Sequence, residues 1–191
     1  MEIVALVSPD PYFSIKNKEI YMSKIIYLKV GLSLLIGFAL IYPFFSTSTT
    51  GILRELDTLG LTWSLILMSL FFIAVAFYAK ALENTLKLVN KKARKAEPKS
   101  VWLMFLIPYN FIEDFFIIHS VTESLKAQAL FDNRLNKIKG FGSLSGFGWC
   151  TAQIISLIPN ELGAVAGVIA FILWLVHWYF IVQTNKLLSA H

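Results

Sequence analysis

The residues with chemistry to offer are few and close together. Between positions 110 and 123 the sequence NFIEDFFIIHSVTE supplies Asn110, Glu113, Asp114, His119 and Glu123, and two more polar side chains, Gln153 and His177, stand in apolar stretches downstream. On a helical wheel Glu113, His119, Ser120, Glu123 and Lys126 share one arc, interrupted by Ile112 and Phe116, while Phe111, Phe115, Ile117, Ile118, Val121 and Leu125 share the opposite one. Asp114 falls in the middle of the apolar arc, where a carboxylate is costly unless it is paired or protonated. It is expected either to meet a lysine, headgroup water or a polar residue such as Gln153, or to line a proton or ion path. His119 and Glu123 lie one helical turn apart and could share an ion, although such pairs more often make surface hydrogen bonds. His177, between Trp174 and Trp178, could ligate a haem together with His119, yet two histidines alone do not define a haem site. No nucleophile-base arrangement, phosphate loop or hydrolase-spaced carboxylate pair is present, so neither an enzyme, a cofactor nor a bound metal is expected.

The elements that position these groups are membrane helices. The 191 residues are 57% hydrophobic, only 15% charged, and have a mean hydropathy of +0.66, far from the soluble norm of about a quarter charged. Spans are expected at 25–46, 59–79, 141–158 and 162–182, of which the second has no charge from Gly60 to Ala79. Residues 1–24 form a polar leader whose apolar run, Ile3 to Val7, is too short for a secretory signal, so the first span is expected to be an uncleaved anchor. Cys150 is the only cysteine, so no disulfide can form within the chain.

The stretch 101–130 decides the topology. Its eleven Leu, Ile, Phe and Val residues up to His119 favour insertion by about 3–7 kcal/mol, against a cost of about 2.5–3.5 for each ionised carboxylate. The balance is near zero or unfavourable, so an amphipathic interfacial or re-entrant segment on the cytoplasmic face is expected rather than a fifth span. Residues 80–100 form a basic helix or linker, helical until Pro98, and 183–191 a short cytoplasmic tail. With 101–130 not crossing, sixteen of the seventeen basic residues share one side and only Arg54 lies opposite, which places both termini in the cytoplasm of a cell with a bacterial-type inner membrane.

Two spans, a basic linker, a segment of the form Trp…Ile-Pro-x-x-Asn and two more spans make a layout that resembles a bacterial four-helix integral membrane domain of unknown function. Trp102, Ile107, Pro108 and Asn110 carry the resemblance, with Val121 and Ser124 where that family continues into a helix; Glu113-Asp114 stands where it often has another proline. The resemblance implies four transmembrane helices in two hairpins and no activity.

Lys87, Lys91, Lys92, Arg94 and Lys95 suit anionic lipid headgroups, and the absence of aromatic residues among them speaks against nucleic acid. Gly142 with Gly146 and Gly163 with Gly167 form small-residue patterns for helix packing, within the chain or between protomers. The expected role is therefore association, as an accessory or regulatory subunit of a membrane assembly or as a homo-oligomer. A channel or transporter with a polar path around Asp114 is the alternative.

Overall fold

The computed structural model describes residues 11–45 and 60–190, with side chains over 22–41 and 60–190. The start of the leader, the loop carrying Arg54, residue 46 of the first expected span, residue 59 of the second and the final residue of the tail lie outside the described residues. Among the described residues five α-helices run in order: α1 Pro11–Phe45, α2 Leu61–Leu88, α3 Asn110–Ala129, α4 Ser143–Ile155 and α5 Glu161–Ser189. Three short 3-10 segments, Pro98–Phe105, Asn133–Leu135 and Gly140–Gly142, punctuate the connections, and no strand occurs among the described residues.

Among the described residues three stretches are long and apolar enough to cross a membrane: Met22–Ile41 in α1, with mean hydropathy 2.0, and α2 and α5, each at 2.2. Their packing explains why they remain apolar all round. Along α5 the buried residues Gly163, Ala166, Ala170, Trp174, His177, Ile181, Thr184 and Leu188 form one stripe at three- and four-residue spacing. Val165, Ile169, Ile172, Val176 and Tyr179 are exposed beside it. Such a surface suits lipid and would be unsustainable in water.

Several boundaries differ from expectation, each for a local reason. α1 starts within the polar leader at Pro11, a residue pre-set for the first helical turn. α2 stops at Leu88 rather than continuing to Pro98, because Val89 turns extended and the guanidinium of Arg94 reaches back to the carbonyls of Lys87 and Val89 at 3.3 Å each. α5 continues seven residues beyond its expected end at 182. The third expected span, 141–158, is realised as the 13-residue α4, about 20 Å of helix. Its start is set by left-handed backbone at Gly140, Phe141 and Gly142, its end by turns through Ile158.

α2 and α5 are parallel. Phe71 meets the ring of Trp174 at 6.2 Å, Tyr78 bonds His177, and Thr85 donates to Asn185 at 2.8 Å, so both helices advance in the same direction. The main core gathers the C-terminal halves of these two helices with α3: Tyr78, Leu82, Leu86, Ile118, Val121, Leu125 and Ile181 are among its fully buried members. Between α2 and α3 the chain folds inward. Trp102 Nε1 donates to Glu83 near the end of α2, Phe105 lies beside Phe72, and Pro108 lies against Gly37, in the C-terminal half of α1. From this turn α3 runs back, antiparallel to α1, until Gln128 accepts from the backbone of Asn90.

Candidate functional site

α3 is placed so that its three carboxylates meet different fates. Glu113, expected on the exposed polar face, is instead buried and bound to Lys29 of α1 at 2.6 Å, with that ammonium also 3.9 Å from the ring of Phe116. The pairing follows from the antiparallel run of α1, whose narrow buried stripe of Ser33 and Ile36 lies next to the arc that includes Ile112 and Phe116. Glu123 stays at the surface with Lys126 at 2.8 Å, a neighbour that holds its carboxyl below the ordinary range. Asp114 turns into the bundle. It is 3% exposed, and its Oδ1 has no hydrogen-bond partner among the described residues. The lysine expected beside it is committed to Glu113, and the Oε1 of Gln153 is likewise buried without a partner.

Two further groups able to carry or exchange protons lie near Asp114, and a third is hydrogen-bonded to one of them. Tyr78 of α2 and Cys150 of α4 lie within electrostatic range of its carboxylate, and the Tyr78 hydroxyl is 2.8 Å from Nδ1 of His177 on α5. Tyr78 and His177 are each 1% exposed, and the tyrosine ring is enclosed edge-on by Trp149, Trp174 and Trp178. With Tyr78 donating, Nδ1 accepts and the imidazole proton sits on Nε2. Sequence alone singled out His177 but not its partner, because Tyr78 reads as an ordinary interfacial aromatic at the end of a span. The signal was the shared polarity of two residues in separate apolar helices, which becomes a pair only once α2 and α5 are known to be parallel.

The glycines make this closeness possible. A Cβ on Gly146 would come within 2.5 Å of Ile118 Cγ2 and 3.0 Å of His177 Nε2, and one on Gly142 within 2.5 Å of the Phe180 ring. A Cβ on Gly163 would strike the carbonyl of Ile158 in the α4–α5 turn, where Asn160 Oδ1 accepts from the Gly163 amide at 3.0 Å. Gly167 faces Ser156 at an ordinary distance. Close approach at Gly142, Gly146 and Gly163 thus occurs inside the chain.

His119 and the basic candidates do not converge on Asp114, whereas Asn110, one turn before it on α3, is buried with its Oδ1 unpartnered among the described residues. His119 is exposed whereas His177 is buried, so the two do not face a common haem. No three His, Cys, Asp or Glu side chains converge on a metal site among the described residues. Lys87 pairs with Glu83 at 2.6 Å, while Lys91, Lys92 and Lys95 are exposed around the loop after α2, and Arg94 is half-buried beneath it. No family model matches the chain, and no significant similarity to a curated protein or a solved structure was found.

Proposed function

We propose that this chain is a multi-pass membrane protein that binds and moves a small cation, the proton included, by way of Asp114. One observation carries it: a carboxylate shut inside the helix bundle with no counter-charge among the described residues, near a tyrosine that is hydrogen-bonded to a histidine. Leaving such a group unpaired is expensive, and ionisable residues kept inside membranes mark ion and proton pathways. Glu113 shows what a structural carboxylate looks like in the same helix turn, since its lysine is already in place. The glycine pairs that suggested association are largely taken up by packing within the chain.

Topology supports the same role. α2 and α5 run in parallel, so the chain between them must return across the membrane, and α4 with its antiparallel partner α5 is the element available. Four crossings, one of them short, follow. The inward fold at 98–109 and the return along α3 support a re-entrant segment that brings Asp114 below the headgroups, with both termini on the cytoplasmic side. Short crossings and broken helices of this kind occur where they are enclosed by protein.

The test is flux. In proteoliposomes under an imposed membrane potential, the wild-type chain should pass protons or an alkali cation, and Asp114→Asn should abolish the current while retaining monodisperse behaviour in detergent. Equal flux from both proteins, or none from the wild type, would overturn the proposal.

An association role has one observation in its favour, an apolar groove of about 640 Å³ between α4 and α5 lined by Leu144, Phe147, Thr151, Ile155, Val165 and Ile169. A partner helix seated there should cross-link efficiently through a cysteine introduced at position 165.

A further inference from the structure

Six buried side-chain polar atoms lack a hydrogen-bond partner among the described residues, and three of them are acceptor oxygens on one level of the bundle: Asn110 Oδ1, Asp114 Oδ1 and Gln153 Oε1. Asn110 and Asp114 are one turn apart on α3, both more than nine-tenths buried. α4 runs antiparallel to α3. Thr122 bonds the Phe141 carbonyl, Gly146 faces Ile118, and Phe115 stacks near Phe147 at 6.3 Å. Further along, Cys150 lies within electrostatic range of Asp114, and Ile154 joins the cluster of Phe111 and Ile112. That register brings Gln153 to the height of Asn110 and Asp114.

We propose that Asn110, Asp114 and Gln153 form the coordination site of a dehydrated monovalent alkali cation. The identity follows from counting charges and lone pairs. A proton on Asp114 gives one donor, enough for one amide oxygen, and leaves the other orphaned. A monovalent cation satisfies all three oxygens at once and neutralises the single carboxylate. A divalent ion would leave a net positive charge in the apolar interior, because Glu113 already belongs to Lys29. All-oxygen ligation excludes the softer transition metals as preferred occupants.

This inference rests on the cation-handling function proposed above and gives it a substrate class. Were the two amides turned with their NH2 groups toward Asp114, no ion would be needed, and titration separates the two arrangements. Thermal unfolding of the purified chain in detergent is followed at constant ionic strength as sodium chloride, or in a second series potassium chloride, replaces choline chloride. A saturable rise of about 3–6 °C at ten times the Kd is expected, absent in Asp114→Asn and in the double variant Asn110→Leu/Gln153→Leu. No saturable rise with either sodium or potassium chloride over choline chloride, or an undiminished rise in Asp114→Asn, would overturn the site. Should the variants fail to fold, the wild-type titration decides alone. Proton flux that depends on Asp114 without any sodium or potassium effect would remove this site and leave the proposed function standing; loss of both would remove both.

Discussion

At Glu113 and Asp114 two adjacent carboxylates are handled in opposite ways, and the difference is one of direction around a helix. The hundred-degree step between neighbours points Glu113 at α1 and Asp114 at α2 and α4. Lys29 and Glu113 are 13% and 8% exposed, so their ion pair is sheltered from water and salt. Removing one partner of a buried pair strands the other. Lys29→Met or Glu113→Gln alone is therefore expected to destabilise the chain by about 3–5 kcal/mol, whereas Lys29→Met combined with Glu113→Leu should restore most of the loss. Unfolding in detergent measures all four proteins, and additive single losses would show that the contact contributes little. The sequence made Asp114 conspicuous, since its position in an apolar arc is a matter of periodicity. It could not reveal that Lys29 would go to Glu113. That depends on where α1 docks, and from Val30 to Phe45 α1 has no charged residue to mark its contact face.

At the scale of elements, glycine spacing has physical content that differs from helix to helix. A Cβ at Gly146 has no room against Ile118 and His177, while one at Gly31 of α1 would meet nothing within 4 Å. Gly146→Leu should therefore cost about 1–3 kcal/mol or more through overpacking and separate α4 from α3 and α5. Gly31→Ala should be neutral or mildly stabilising, because alanine is the better helix former. Thermal midpoints of the two variants check this directly; equal effects would mean that the tight crossing of α4 does not hold the bundle together. The long apolar helices were legible because twenty uncharged residues admit few alternatives. The ends of α2 and α4 were not. They are set by an arginine folding back onto free carbonyls and by left-handed backbone at three consecutive positions, neither of which has a periodic signature.

For the molecule as a whole, the decisive relation is the parallel course of α2 and α5. If both cross in that direction, an odd number of crossings lies between them, and the proposed function gives that return to α4, with α3 running back from the turn at 98–109. On that proposal the basic loop after α2 and the connection around Lys137 face one compartment and the α4–α5 turn faces the other. The loop is also tied to the returning end of α3, where the Lys95 amide donates to Ser124 at 2.9 Å, which leaves no slack to place the two on different sides. Cysteines introduced singly at Lys95, Lys137 and Glu161, all exposed, report this arrangement through a membrane-impermeant thiol reagent in sealed, inverted vesicles. The native Cys150 is fully buried and should contribute little background. Positions 95 and 137 are expected to react together, and position 161 only after the vesicles are opened. Labelling of 95 and 137 from opposite faces would mean that α3 crosses the bilayer completely, placing Asp114 in a fifth span and removing the proposed re-entrant segment.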